Sequence, residues 1–431
     1  MARICIDDTR TVGRIKPLHA GGQPPLLGSR TTCFHYLTEA GIPYSRLHDV
    51  GGLYGGGRYV DIPNLFRNFD ADETDPQNYD FTFTDHLISA LIEAGVEPYF
   101  RLGITIENYA DIKYYHAMPP KDYEKWARIC EHIVAHYNEG WADGFRYNIT
   151  YWEIWNEPDN KRNRDAVSEM WNGTPEEYYR LYDVTAKHLK KCFPNIKVGG
   201  YASCGFYYLT APQTKIVNRP NYEYFMEFFY GFFEYVKEHG SPIDFFSWHS
   251  YDKTENTLIW ANWLGEKLKE FGYGHIESHL NEWDPFCKEF GTAHHSAEIA
   301  AMMLGMQNTH VSLMCIYDMR ITNVPYCPLF DVITQTPIHG YYSMVAFNHL
   351  YRLGTQVKLT CDTKGLYAVA ATNGKKNALM ISNLTGEEQI LHIEGVDLSD
   401  ARISVIDEKR LLSWAPAADK IGNNTVLLIE Y

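Results

Sequence analysis

Two glutamates stand where chemistry could be done: Glu157, in Asn156-Glu157-Pro158, and Glu282, in Asn281-Glu282-Trp283-Asp284-Pro285. Glu157 follows the run 145–151, rich in β-branched and aromatic side chains, which reads as a buried strand. Pro158 has no N–H for a sheet ladder, so the strand is expected to stop and leave Asn156 and Glu157 at its carboxyl end. The stretch 279–285 delivers Glu282 in the same way. Two carboxyl groups on two strand ends are the minimum equipment for glycoside hydrolysis. In the retaining version one protonates the leaving oxygen while the other attacks the sugar, and the two sit about 5–5.5 Å apart. A single glutamate at a strand end is more often half of an ion pair; two in matching Asn-Glu contexts favour catalysis.

Other residues at strand ends could serve the same chemistry. Asn156 is placed to bond the hydroxyl next to the reacting carbon, a contact that strengthens as positive charge develops there. Arg46 could keep a neighbouring carboxylate ionised. His48, His249 and Tyr251 offer hydrogen bonds to sugar hydroxyls, and Trp155 and Trp283 either pack beneath a rim or wall a cleft. Each of these alone packs or caps as readily as it binds. His294, His295 and Glu298 have helical spacing but no third ligand, and read as a surface cluster rather than a metal site. Gly55-Gly56-Gly57 lacks a lysine and a following helix, so it is no phosphate loop. No cofactor or metal is called for.

The elements that must hold these side chains alternate. Strands are expected at 14–19, 44–48, 98–102, 145–157, 197–203, 244–251, 279–284 and 312–317, with helices at 29–40, 83–94, 119–137, 175–192, 222–239, 256–271, 297–308 and 342–350. Eight such units predict a (β/α)8 TIM barrel over 14–350, an architecture whose chemistry sits at the carboxyl ends of the strands. After 350 the pattern changes to short strands at 356–361, 366–371, 378–384, 389–393, 401–406 and 426–431 with turn signals between them, a C-terminal β-sandwich domain over 351–431. The solitary strand in 1–13 is expected to complete it by covering an edge. The connection 51–80 is long enough to be functional and could close a cleft into a pocket.

Bulk properties narrow the partners. The formal charge of −15 argues against nucleic acid and anionic membranes, and leaves a monomer or a homo-oligomer equally open. Nine scattered cysteines form no Cys-x-x-Cys pair and suggest no disulfide framework. Residues 1–10 are charged without an apolar core, so no signal peptide is seen and a cytoplasmic location is expected. Aromatic residues make up 15% of the chain, a share that suits sugar binding and core packing alike.

The chain resembles the clan A retaining glycoside hydrolases and, within them, glycoside hydrolase family 39, which holds β-xylosidases and α-L-iduronidase. The resemblance rests on Ile6-Asp7 leading to Gly13-Arg14-Ile15-Lys16-Pro17-Leu18-His19, on Arg46-Leu47-His48, on Trp152-Glu153-Ile154-Trp155-Asn156-Glu157-Pro158 and on Ser247-Trp248-His249-Ser250-Tyr251. It covers nearly the whole chain. It implies that Glu157 is the acid/base and Glu282 the nucleophile. Double displacement would then call for a Glu157 carboxyl raised above its ordinary range in the free enzyme. The surroundings of Glu282 and Asp159 look closer to the iduronidase branch. A uronic acid would need a cation, for which Lys253 and Arg320 are available. The expected activity is that of a retaining exo-glycosidase on an oligosaccharide or glycoside, a β-D-xylosidase or related β-glycosidase. An iduronidase-like uronidase is the alternative within the clan, and a catalytically inactive carbohydrate-binding protein the alternative of another class.

Overall fold

A computed structural model of the chain describes residues 1–25, 33–48, 60–105, 117–168, 170–285, 289–321 and 326–431. The first strand, β1 (Ala2–Arg14), belongs to a sheet completed only at the far end of the chain. The next eight are parallel and close into a barrel: β2 (Ala20–Gly22), β3 (Tyr44–Leu47), β4 (Glu97–Leu102), β5 (Tyr151–Ile154), β6 (Lys197–Ser203), β7 (Phe245–Ser250), β8 (Glu277–Trp283) and β9 (Val311–Ile316). Side chains of a strand alternate between faces. In β5, Trp152 and Ile154 therefore pack among the surrounding helices, while Tyr151 and Glu153 enter the barrel. Inside, an aromatic floor is made by Tyr99, Tyr151, Phe245 and His279; the rings of Phe245 and His279 stack at 4.7 Å. Polar groups lie one layer nearer the mouth: Arg46 and Glu153, with Asn281 beside them.

The helix Pro175–Cys192 shows why the surrounding layer forms where it does. Thr174 and Glu177 make a reciprocal capping box, Pro175 occupies the first turn, and Lys190 and Lys191 complement the dipole at the far end. With the helix Tyr123–Asn138 it flanks β5 and fixes the strand that delivers Glu157.

The remaining strands are β10 (Thr355–Cys361), β11 (Leu366–Thr372), β12 (Asn377–Asn383), β13 (Gln389–Glu394), β14 (Arg402–Asp407), β15 (Arg410–Ala415), β16 (Lys420–Ile421) and β17 (Thr425–Glu430). They curl with β1 into a mostly antiparallel β-sandwich in the order β15-β14-β17-β12-β11-β10-β1-β13-β16. β1 runs antiparallel to β10 and parallel to β13, and buries Ala2, Ile4 and Ile6 against Leu379, Ile381, Leu427 and Ile429. β12 is buried on both faces. Leu379 and Ile381 enter this core, while Ala378 and Met380 join the helices Ala293–Met306 and His339–Leu353 of the barrel. The fold class expected from the sequence, a TIM barrel with a C-terminal β-sandwich, is the one observed.

Several local expectations are corrected. The first barrel strand is Ala20–Gly22, not 14–19, where Ile15 bonds the carbonyl of Gly354 and Pro17 accepts from Met314 instead of forming a ladder. Residues 145–150 are irregular. Phe145 and Tyr147 donate to His136 and Tyr137 at the end of the preceding helix, and Asn148 has φ of 56°, so the run lies against that helix and β5 starts only at Tyr151. Asp122 caps Lys125 and delays the helix expected from 119 to Tyr123; Thr292 caps His295 and starts the helix expected from 297 early, at Ala293. The hairpin to β15 turns through Glu408 and Lys409, without the Gly or Asn that would have announced it. Of the helix expected at 29–40 only His35–Ala40 falls among the described residues as helix, and Gly55-Gly56-Gly57 and part of the 51–80 connection lie outside them.

Candidate active site

β5 ends at Ile154, but its hydrogen bonding continues in altered form. Trp155 donates to the carbonyl of Leu102 at 2.8 Å and Glu157 to that of Ala202 at 3.1 Å. Both residues adopt positive φ, 75° for Trp155 and 45° for Glu157. Non-glycine residues hold such conformations at a cost of about 1–3 kcal/mol each, and they cluster at functional sites. Asp159, fully buried, anchors the segment by accepting from the Ser203 hydroxyl and the Cys204 amide. Burial and the neighbouring Glu157 charge push the Asp159 carboxyl up to about 7.

Glu282 reaches the site by another device. The pairing of β7 with β8 runs Trp248↔Leu280 and then His249↔Glu282, so Asn281 is an extra residue on β8. Such a bulge re-aims side chains. Here it lets consecutive residues, Asn281 and Glu282, both address the barrel interior: Asn281 donates to Glu153 at 2.6 Å and Glu282 accepts from Arg46 at 3.1 Å.

The bulge and the turn together bring one carboxylate oxygen each of Glu157 and Glu282, with a ring nitrogen of His249, within 4.8 Å of one another. His249 Nδ1 lies 2.7 Å from Glu157 Oε1; its Nε2, 3.7 Å from Glu282 Oε2, is too far for a hydrogen bond. Asn160 donates to Glu157 at 2.8 Å, and the Tyr251 hydroxyl donates to Glu282. Arg46, fully buried, donates through Nε and Nη2 to Glu153, through Nη1 to Glu282 and through Nη2 to Asn156 Oδ1 at 2.5 Å. The Asn156 oxygen is thereby engaged, leaving its amide N–H groups to serve a ligand.

The charges of the cluster are interdependent. Burial pushes Glu282 up, an effect that Glu157 reinforces and that His249, Arg46 and Tyr251 oppose without overcoming. Burial also acts on Glu157, but the hydrogen bonds and charges of His249, Asn160 and Arg46 hold its carboxyl below the usual range. His249 is raised: burial lowers it, and the two carboxylates outweigh that. This corrects the expectation of a raised Glu157. The proton of the resting cluster belongs to the His249–Glu157 pair, because the imidazole is the stronger base beside two carboxylates.

The other expected residues divide. His48 lies at the mouth, its Nδ1 accepting from Arg101 at 3.2 Å; burial first, then the charges of Arg101 and Arg46, hold it well below its ordinary value and hence neutral. Tyr251 and His249 touch the two glutamates directly. Trp283 is wholly buried, its indole N–H without a partner among the described residues. Arg320 is close enough to act on His48, but its guanidinium grips Asp318 through Nε and Nη2 at 2.9 and 2.6 Å. Lys253 is not brought to the site. It precedes the helix Thr254–Phe271, its side chain is 58% exposed, and it pairs with Glu255. His295 departs from the expected surface cluster: it is fully buried and bonds Asp284 at 2.8 Å, whereas His294 stays at the surface beside Glu289.

Sequence reasoning missed Glu153, although a charge inside an otherwise apolar strand signals a buried partner. It also missed the fully buried Arg101–Asp61 pair at 2.6 Å, with Thr105 bonded to Asp61. Gln23 was missed too. Its φ of 52° places it in a left-handed turn at the end of β2, where its side-chain Oε1 accepts from the His48 amide and its Nε2 has no partner among the described residues. Nothing in its sequence neighbourhood announces this. Among the described residues, a second group with metal-ligand spacing is Glu131, His188 and Cys192, where His188 and Glu131 pair at 2.5 Å between two helices.

Comparison with known proteins gives one match to a family model, described as glycosyl hydrolases family 39, over residues 34–268, more than half of the chain. The matched span contains Arg46, Glu157 and His249 and ends before Glu282. A curated relative, a β-xylosidase from Geobacillus stearothermophilus, is 23% identical over 279 residues, which is 58% of this chain and 49% of the relative; the match spans about half of that relative's length. Among solved structures, a glucosidase from Croceicoccus marinus superposes with a TM-score of 0.79 at 18% identity, covering 100% of this chain and 98% of that one. A GH39 β-xylosidase from Caulobacter crescentus superposes with a TM-score of 0.68 at 16% identity, covering 99% of each chain. At those identities the two structures speak for the fold alone.

Proposed function

The chain belongs to glycosyl hydrolases family 39, and from that premise we propose that it removes a terminal sugar from a glycoside with retention of configuration, as a β-D-xylosidase or related β-glycosidase. The observation that carries the reading is the approach of Glu157 and Glu282 to within 4.8 Å. That limit holds between one oxygen of each carboxylate, and it supports direct attack by a carboxylate, the arrangement in which the two carboxyl groups lie about 5–5.5 Å apart. The β-xylosidase relative supports the sugar.

In the first step a carboxylate oxygen of Glu282 bonds the anomeric carbon as the bond to the leaving oxygen breaks. Glu157 gives that oxygen a proton. The proton reaches Glu157 along its 2.7 Å bond to His249, which is left neutral. Asn156 offers its amide N–H to the hydroxyl beside the reacting carbon. Once Glu282 is esterified its charge is gone, and the neutral His249 no longer stabilises a second anion. In the second step Glu157, now a carboxylate, takes a proton from water. The water oxygen bonds the anomeric carbon, and Glu282 leaves as a carboxylate. The donors on Glu282, Arg46 and Tyr251, stabilise that departing charge.

A uronide substrate is less well served. Of the two cations the sequence offered for a uronic acid, Arg320 has its charge matched by Asp318 and Lys253 pairs with Glu255 away from the site. The test is a panel of nitrophenyl glycosides (β-xyloside, β-glucoside, β-galactoside, α-L-arabinoside, α-L-iduronide) given to wild type and Glu282→Ala. Wild type should release nitrophenol from the β-xyloside. Glu282→Ala should be inactive until azide is added, and then yield the inverted glycosyl azide. Full activity in Glu282→Ala would overturn the nucleophile assignment; turnover of the iduronide alone would overturn the sugar.

A further inference from the structure

Beneath the two glutamates lies a third buried carboxylate that contacts no substrate-facing group directly. Glu153 is fully buried, four residues before Glu157 on β5. One of its oxygens takes both Nε and Nη2 of Arg46 at 2.8 Å; the other takes the amide of Asn281, the residue before Glu282. Arg46 has a single positive charge, yet two buried carboxylates contact it, and Glu282 receives the longer bond, 3.1 Å. We propose that Glu153 is a positioning residue that absorbs most of the Arg46 charge and locks Asn281, so that Glu282 faces a largely compensated guanidinium and the pH range of the reaction is set from beneath the site. The inference rests on the reading of Glu282 as the nucleophile.

The logic is electrostatic. An uncompensated guanidinium in contact with a buried carboxylate would hold it strongly ionised. Glu282 instead remains on the raised side, with burial the leading cause and Arg46 one of several opposing ones. The groups facing Glu153 are Arg46 from β3, Tyr99 from β4, His279 and Asn281 from β8, Cys315 from β9 and, more remotely, Tyr178 from the helix Pro175–Cys192. Those facing Glu282 are Arg46 from β3, His249 and Tyr251 from the end of β7, Glu157 after β5 and, more remotely, Cys204 after β6. Among the described residues, Arg46 is the cation common to both sets. A nucleophile that is too strongly ionised is a weak one, and it leaves the glycosyl–enzyme readily; one that is too basic is protonated at working pH. Sharing one cation between two carboxylates places Glu282 between these limits.

The test compares Glu153→Gln, which removes the charge and keeps the shape, with Glu153→Asp, which keeps the charge. In Glu153→Gln the acid limb of kcat/KM should move to lower pH, on the order of one pH unit, the size of effect expected for one nearby charge in a protein interior. In Glu153→Asp the limb should stay near that of wild type even if kcat falls. If Glu153→Gln does not fold, the pair Arg46→Gln and Arg46→Gln/Glu153→Gln answers the same question: a role exerted through Arg46 leaves the acid limb of the double variant where Arg46→Gln puts it, and a further shift to lower pH shows direct repulsion and overturns the sharing. The ionisation of Glu282 is also read without turnover, from the carboxyl signal of δ-13C-glutamate-labelled protein that disappears in Glu282→Gln. A titration of that signal unmoved by Glu153→Gln overturns the inference. A wild-type protein that hydrolyses no glycoside overturns the proposed function instead, and leaves the carboxyl titration to decide this one.

Discussion

Replacing Tyr251 by Phe removes one oxygen atom and one hydrogen bond, that from the Tyr251 hydroxyl to Glu282. The ring remains among Tyr317 and Tyr326, whose centroids lie 6.2 and 5.4 Å away, so the packing survives. A hydrogen bond to a charged group is worth about 1.5–3 kcal/mol. It is worth that in full only when Glu282 is a carboxylate, and little when Glu282 is an ester. The departing carboxylate of the second step therefore loses the most. At about 1.36 kcal/mol per tenfold, release of the sugar should slow roughly ten- to a hundredfold. The first step begins from the same carboxylate, so it loses ground-state stabilisation and suffers less. The glycosyl–enzyme should then accumulate, and a nitrophenyl substrate should show a burst of one nitrophenol per chain followed by a slow steady state. The acid limb should also move, with a definite sign. Burial already raises Glu282 and the tyrosine opposes it. Without the hydroxyl the carboxyl rises further, and the limb shifts to higher pH. A Tyr251→Phe enzyme with unchanged kcat, no burst and an unmoved acid limb would refute the reasoning, because each consequence follows from the same bond.

His249→Ala should move the basic limb of kcat/KM to lower pH. The His249–Glu157 pair keeps its proton with the help of an imidazole raised above 6.5, and a carboxyl alone gives that proton up earlier; a limb that stays in place would show that His249 holds no part of it. Asp159→Asn should change the pH dependence of stability. A carboxyl at about 7 in the folded chain against 3.8 as its ordinary value binds a proton the unfolded chain lacks, so wild-type stability falls as pH rises between those values. Urea unfolding at pH 5 and pH 8 should find the variant gaining on wild type at the higher pH. Ile4→Ala should cost about 2–5 kcal/mol of stability in the β-sandwich, measured by urea unfolding, while the folded protein keeps its kcat.

The architecture was legible because alternation and punctuation agreed in most elements. The helix from Pro175 to Cys192 carries its cap, its proline and its basic end in plain sequence. Glu157 and Glu282 were legible for a related reason: a proline after a strand leaves few places for the preceding residues to go. What failed was set by tertiary contact. Residues 145–150 have strand composition, yet the end of a helix offers Phe145 and Tyr147 better backbone partners than the sheet does. The β8 bulge is invisible in sequence, since it depends on register against β7, and without it Asn281 and Glu282 would be assigned to opposite faces. The sharing of Arg46 among Glu153, Asn156 and Glu282 joins three strands distant in sequence, and no local pattern reports it. Lys253 and Arg320 were chosen as cations that follow the sixth and eighth barrel strands, and each is answered by a nearby acid, Glu255 or Asp318.

The place of β1 in the far sheet has a consequence for how the chain is made. Residues Ala2–Arg14 leave the ribosome before the barrel, but their partners in β10 and β13 are synthesised only after the whole of it. At about 5–20 residues per second, that strand waits on the order of twenty to seventy seconds with Ile4 and Ile6 unburied. Charged residues flank them on both sides, Arg3 before and Asp7, Asp8 and Arg10 after, the arrangement by which charges guard an apolar strand from aggregation while it waits.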